Sequence, residues 1–356
     1  MLYYIGSFIQ HYWGPGRLLQ SYTVLILIAL YEGFLLTQLL LPKFYDKLPH
    51  DRGREFTLTA EAAKGKPTGA GVVFITLFVV LCFVIIPLNR TQIFIVLLTW
   101  FMMLTGYLDD RSLTSWGEYK KGLLDLIISL VASFILMKYC ASESEDGFIH
   151  FWLPILSDTI IVSPWVFILI STILLWLSIN TTNCTDGVDG LSGSLVLVAL
   201  LTMGAIFYFI LGHVDIAAYL LVPHLSDGAT WGVITFLLAG ILMGYLWHNA
   251  YPSKVMMGDA GSRALGFYIG AAVMVSRNPF LILATSSIMF VNGGMGLMKV
   301  FLLRFFKIHI FKEVRFPLHD HLRKNHGWSP TQVLMKFLIM QLLITSALVG
   351  LFFKVR

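Results

Sequence analysis

Charge is scarce in this 356-residue chain: 13% of its residues are Asp, Glu, Lys or Arg, while 57% are apolar. That balance lies well outside a soluble globular domain and leaves no case for nucleic acid as a partner. Cysteine is scarce too. Cys82, Cys140 and Cys184 are scattered and odd in number, which argues against a disulfide framework and a thiolate metal site. No GxxxxGK[ST] stretch occurs, so ATP-driven chemistry has no support. Domain-sized linkers, low-complexity tracts and clear internal repeats are also missing, so residues 1–356 read as one polytopic membrane domain. The opening MLYYIGSFIQHYWGPGR lacks a charged start and a small-residue cleavage site; it reads as an amphipathic interfacial segment rather than a signal peptide.

What the chain does have is apolar runs. A membrane-crossing helix needs about 20 mostly apolar residues. Windows near 18–41, 70–87, 91–108, 122–140, 164–180, 190–212, 229–248, 264–276, 280–302 and 332–353 qualify. The expected fold is an all-α integral membrane protein with about ten transmembrane helices, an even number that puts both termini on one side. The window at 264–276 is short, and the glycines and asparagine of VNGGMGLM, 291–298, should break a helix.

Loops 42–70, 109–121, 251–263 and 303–331, with Lys299 and Lys336, hold 19 of the 25 Lys and Arg. Arg17, Arg90, Lys138, Arg277, Lys354 and Arg356 fall on the other side. Basic loops favour the cytoplasm. These loops and 181–189 are therefore expected inside, with both termini extracytoplasmic. ASESEDGFIH and PHLSDG should then face out.

On that orientation the unusual polar residues share one face. Asp109 and Asp110 end the third span, and adjacent carboxylates repel unless solvated, paired or metal-bound. NTTNCTDGVDG supplies Asn180, Asn183, Asp186, Gly187 and Asp189. Asp186 and Asp189 would share a helix face, while the DG pairs favour a tight turn. In WHNAYPSKVMMGDAGSRALG, Asn249 ends a span and Asp259 precedes the next, whose amides could hold an anion. VRFPLHDHLRKNHGWSP carries His319, Asp320, His321, Arg323, Lys324 and His326; from an extended segment both His319 and His321 could reach one ligand. EAAKGKPTGAG, 61–71, places Lys64, Lys66 and Thr68 before a span. Each group alone has a plain structural alternative: a hydrated helix end, a cap by Asp189 or Ser192, or a solvated basic loop. Together, acids, amides and histidines at membrane-adjacent helix ends form a candidate active site.

Carboxylate and amide oxygens without thiolates suit a hard ion, and Mg²⁺ leaves places for substrate phosphates. With Lys, Arg and His beside them, that describes phosphoryl transfer. A site at the bilayer edge fits one water-soluble and one lipid substrate.

KPTGAG, GYLDD, NCTDGVDGL, NAYPSKVMMGDAGSRALG and PLHDHLRKNHGWSP, in this order, resemble the muramoyl branch of the polyprenyl-phosphate N-acetylhexosamine-1-phosphate transferase superfamily. The resemblance implies a ten-helix enzyme of the bacterial plasma membrane, active on its cytoplasmic face. It implies Mg²⁺-dependent transfer of phospho-MurNAc-pentapeptide from UDP-MurNAc-pentapeptide to undecaprenyl phosphate, with release of UMP. Asp109 and Asp110 would be the acidic pair, one a candidate base, and Asp259 the Mg²⁺ ligand. Asp186, Asp189, Asn183 and Asn249, with Asn180 and Gly187, would shape the nucleotide pocket. His319 and His321 would contact phosphate or sugar, and Lys64 and Thr68 would join the substrate site. Homodimers are common among such proteins, although no stretch here specifies one. The family's three consecutive histidines read His319, Asp320, His321 here. Its lysine five residues before the threonine is replaced by Lys64 or Lys66. Direct attack by the lipid phosphate and a covalent aspartyl intermediate both remain open, with direct attack preferred. The rivals are a sister GlcNAc-1-phosphate transferase and a secondary transporter, to which Glu32 and VNGGMGLM lend support.

Overall fold

The computed structural model describes residues 2–51, 64–114, 116–144, 146–154 and 156–354. A short helix α1 (Leu2–Ile9) and a 3-10 segment precede α2 (Tyr22–Leu40). Then come α3 (Gly71–Ile85), α4 (Arg90–Arg111) and α5 (Glu118–Ser142). An antiparallel ribbon, β1 (Ile149–Phe151) with β2 (Ile160–Val162), pairs Ile149 with Val162 and leads into α6 (Pro164–Thr185). Next, α7 (Leu191–Ala205) runs on as a π-helical stretch to Leu211, and α8 (Val214–Tyr219) connects to α9 (Gly228–Asn249) and α10 (Gly258–Val275). Finally, α11 (Leu281–Met289) and α12 (Met295–Phe301) form one continuous rod, followed by α13 (Leu318–His326) and α14 (Pro330–Lys354).

Among the described residues, eight helical stretches are long and apolar enough to cross a membrane: Tyr22–Lys47, Arg90–Arg111, Glu118–Ser142, Pro164–Thr185, Leu191–Leu211, Gly228–Asn249, Leu281–Phe306 and Pro330–Lys354. The chain is an all-α, multi-pass membrane protein. The expected windows at 70–87 and 264–276 fall on α3, of 15 residues, and α10, of 18. Every residue of α10 is buried. Because it meets protein rather than lipid, it can carry glycines and the charges of Asp259 and Arg263, which weakens its hydropathy signal.

The expected break at 291–298 does not occur. Asn292, Gly293 and Gly294 lie in a π-helical stretch, Phe290–Gly294, that keeps the rod helical while it bends at Ser286 (φ −137°, ψ 16°). A π turn accommodates the irregularity while the backbone stays hydrogen-bonded.

Local signals explain the starts. Asn89 opens α4 with a capping box: its Oδ1 accepts from Gln92 N at 2.9 Å, while Gln92 Oε1 accepts from Asn89 N at 3.0 Å. Ser163 caps α6 just ahead of Pro164. Packing then gathers the helices about two centres: α9 lies against α2 and α7, and α10 against α4 and α6. Close approach depends on glycine. A Cβ at Gly106 of α4 would land on the Asp259 carbonyl, and one at Gly266 of α10 would sit 2.6 Å from the Ser178 carbonyl of α6.

Gly106→Ala should therefore force α4 off α10 and cost about 1–3 kcal/mol. The check is the thermal midpoint in detergent, which should fall for Gly106→Ala and hold for Gly350→Ala, where nothing lies within 4 Å of the added methyl.

Candidate active site

Two helix ends and two helix starts converge at one end of the bundle: the C-termini of α4 and α6, the first turns of α5 and α10. Lys121, in the first turn of α5, places its ammonium between two acids from other helices. It forms an ion pair with Asp109 and lies 2.9 Å from Asp259 Oδ2. The acid side chains are 5% and 3% exposed, and Lys121 is 26% exposed. Asp109 Oδ1 also accepts from Trp116 N at 2.6 Å. From α6, Asn183 Nδ2 donates to Asp259 Oδ1 and to Ser262 Oγ, both at 3.0 Å. One ammonium thus serves two carboxylates, and the trio carries one net negative charge when all three are ionised.

Asp110 does different work. Its Oδ1 accepts from Asp259 N and its Oδ2 from Ala260 N, both at 3.0 Å. The expectation that the amides opening α10 lie ready for a ligand anion needs correcting: the anion on them is the Asp110 carboxylate. A carboxylate there satisfies donors that have no helical partner and complements the helix dipole. Gly258 makes room for it, with φ 66° and no side chain to collide with Asp110.

Other expected site residues hold loops. Asn249 is buried; its Oδ1 accepts from Gly190 N at 2.9 Å, and its Nδ2 donates to Val255 O at 2.8 Å. With both ends of its amide engaged by backbone, it ties the α6–α7 turn to the α9–α10 loop. Asp189 Oδ2 accepts from Ser253 N at 3.0 Å and lies 3.8 Å from Lys66 Nζ, which donates to Ser253 Oγ at 3.2 Å. Lys66 is therefore the lysine that reaches this cluster, whereas Lys64 is exposed. Thr68 is buried, and its amide donates to Pro49 O at 2.8 Å. Residues 61–63 of that stretch lie outside the described residues. Asn180 turns away from the trio: its Nδ2 donates to Trp176 O at 2.9 Å and lies 3.4 Å from Asp125 Oδ2.

Asp186 and Asp189 lie in a turn after α6, the tight-turn alternative of the two. Gly187 in that turn is set by His319: a Cβ would lie 2.5 Å from His319 Nε2. The expected extended segment around His319 is instead helix α13, and positions i and i+2 on a helix do not face one site. His319 is buried. His321 is half-buried, its Nδ1 3.3 Å from Arg315 N and 3.2 Å from Asn325 Nδ2.

Burial, with the Arg323 charge adding to it, pushes the His319 pKa down to about 3. The ring is neutral at physiological pH, so its 3.7 Å approach to Asp320 is not an ion pair. Asn292 Oδ1 accepts from His319 N at 2.9 Å, and so accepts from Nδ1–H at 3.1 Å as well. The proton then sits on Nδ1, and Nε2 offers a lone pair beside Gly187. Such a nitrogen accepts a hydroxyl or N–H rather than binding phosphate by charge.

Among the described residues, no cluster of three or more His, Cys, Asp or Glu is arranged to hold a metal. Asp109 and Asp259 nevertheless converge on one cation and offer hard oxygens. Two carboxylates fit Mg²⁺ where substrate phosphates and water complete its shell. Lys121 had been counted among the positive-inside charges, and Asn292 among the residues expected to break a helix. Lys121 lies 11 residues beyond Asp110, at the start of the next apolar run, and that spacing was the available signal.

Fold and site define a multi-pass helical membrane protein with an acidic, lysine-bridged centre at one end of its bundle. The family model described as glycosyl transferase family 4 matches residues 92–277. A Treponema pallidum (strain Nichols) protein named phospho-N-acetylmuramoyl-pentapeptide-transferase is 55% identical over 350 residues, covering 98% of this chain and 95% of its own. A Campylobacter jejuni (strain RM1221) protein of the same name is 31% identical over 329 residues, covering 88% and 90%. The chain belongs to glycosyl transferase family 4.

The neutral His319 makes a pH prediction. Above pH 6.5 the ring is uncharged in both folded and unfolded chains; between 6.5 and about 3 only the unfolded chain takes up the proton, so stability falls with pH across that window. His319→Gln should lose less thermal midpoint than the parent between pH 7.5 and pH 5, measured in the same detergent.

Proposed function

We propose that this chain transfers phospho-N-acetylmuramoyl-pentapeptide from its UDP carrier to undecaprenyl phosphate, releasing UMP and forming a lipid-linked peptidoglycan precursor. The observation that carries the reading is the Lys121 ammonium shared by Asp109 and Asp259 at the end of the membrane bundle. Support comes from 55% identity over nearly the whole chain to proteins bearing that name. The protein acts as one polytopic domain of the bacterial plasma membrane, with the site at the cytoplasmic face. The lipid phosphate lies at the interface and its tail among the helices.

In the transfer, an oxygen of the lipid phosphate attacks the phosphorus that bears the sugar. The bond from that phosphorus to UMP breaks, and the UMP oxygen keeps the electron pair. Both reactants are anions, so the residues' main task is charge. Lys121 is partly exposed and can give donors to phosphate oxygens while staying near its carboxylates. Asp259, with Asp109, would hold Mg²⁺, whose charge offsets that of the diphosphate and the leaving UMP when bound. The amides of α10 stabilise the Asp110 carboxylate and so make it a weaker base. The lipid phosphate is largely ionised at neutral pH, so the step needs little base help. Direct attack therefore fits better than an aspartyl intermediate. His319 Nε2 accepts a hydrogen bond from a hydroxyl or amide of the sugar-peptide part.

The test is UMP release by the purified protein in detergent from UDP-MurNAc-pentapeptide and undecaprenyl phosphate. Release should require Mg²⁺ and fall by about 10²–10³ in Lys121→Ala and Asp259→Ala, the scale of a lost electrostatic group. Release from UDP-GlcNAc alone would move the protein to the sister reaction, and release from neither would reject the transferase reading.

A further inference from the structure

One turn inside the Lys121 site lies a second charge pair that the proposed transfer does not use. Asp125 and Arg263 are 1% and 2% exposed, and Arg263 Nη2 donates to Asp125 Oδ1. Asn180 Nδ2 approaches the other carboxylate oxygen at 3.4 Å. The positions repeat those of the outer site. Lys121 and Asp125 are four apart on α5, Asp259 and Arg263 four apart on α10, and Asn180 and Asn183 three apart on α6. Residues at these spacings share a helix face. The same three helices therefore carry two stacked layers, each with an acid, a base and an asparagine. Their polarity is opposite: the outer layer has its base on α5 and acid on α10, the inner layer the reverse.

The reversal bears on Lys121. Asp125 is its i+4 neighbour, within the ordinary reach of a helical ion pair. An unclaimed Asp125 would draw the ammonium inward, away from Asp109 and Asp259. Arg263 claims it from across the helix contact. Asp125 is the acid paired with that guanidinium, whose Nε and Nη1 find no hydrogen-bond acceptor among the described residues. A buried cation so placed keeps its carboxylate, because either group alone would be left charged in a low-dielectric interior.

We infer that Arg263 is a positioning residue: by holding Asp125, it reserves Lys121 for Asp109 and Asp259. The inference rests on the reading of that trio as the reacting centre. It also reassigns Asn180, which belongs to the inner layer and supports Asp125.

The experiment compares Arg263→Met, Asp125→Asn, their combination and Arg263→Lys in the full-length protein in detergent. Turnover is read as UMP release, with kcat and KM separated. Arg263→Met should lower kcat by about tenfold or more, as expected when a transition-state contact is displaced. Adding Asp125→Asn to Arg263→Met should raise kcat again by about fivefold or more, although Asp125→Asn gives no such gain in the parent. Arg263→Lys should keep most of the activity. Arg263→Met with parental kcat would overturn the inference. So would a double variant no more active than Arg263→Met although its thermal midpoint has recovered. Should Arg263→Met fail to fold, the double variant decides: kcat near the parent's supports the inference, and a folded but inactive double variant overturns it.

A second readout is independent of the reaction. The midpoint coupling between Lys121→Met and Asp125→Asn should be near zero in the parent and several degrees in the Arg263→Met background. Equal coupling in both backgrounds would overturn the inference. A parent that releases no UMP rejects the transferase reading, and the coupling still decides the pairing.

Discussion

Two buried carboxylates from different helices cannot sit side by side without a cation, and here that cation is the ammonium of Lys121. Asp109 ends α4 and Asp259 begins α10, two helices brought close because Gly106 leaves no side chain between them. Lys121 arrives from the first turn of α5, and Asn183 closes the group from α6. Four helices thus meet at one charge. The rest of the site is arranged around leaving that charge where it is.

Each acid at this end is handled differently. Asp110 is absorbed by the amides that open α10, Asp109 and Asp259 share Lys121, and Asp125 is held by Arg263. The opposite end of the bundle follows another rule. There Asp227 accepts from Asn89 Nδ2 at 2.6 Å and Gln92 Nε2 at 2.9 Å, with the Tyr139 hydroxyl donating to its other oxygen. Burial pushes that carboxyl above the usual carboxylate range, and these partners are uncharged amides and a phenol. It is a lock between α4, α5 and α9. The cation-bridged acids are concentrated at the other end, where a polyanionic substrate would be met.

Hydropathy located the helices because lipid-facing and core-facing segments alike are apolar. Where it weakened, at α10, the cause was full burial within protein, which tolerates Asp259 and Arg263. The motif acids were also legible, since polar residues at membrane helix ends are unusual. Their division of labour was not: Asp109 and Asp110 are adjacent, yet one meets a lysine and the other a helix N-terminus, a difference set by tertiary geometry. Lys121 and Arg263 were hidden for a simpler reason. Basic residues near the cytoplasmic surface serve topology, so these two cations looked like two more topogenic charges. The histidine segment misled because a cluster of like residues invites a shared role, whereas helix α13 buries His319 beside Asn292 and leaves His321 half-buried beside Arg315 and Asn325.

The most direct measurement is the thermal midpoint of Lys121→Met in detergent, with and without Mg²⁺. The account predicts a clear drop without the ion, since Asp109 and Asp259 are then left to repel each other, and a larger Mg²⁺-dependent rise than the parent shows. A Lys121→Met protein as stable as the parent, or one that Mg²⁺ does not raise, would contradict the claim that these two carboxylates converge on one cation.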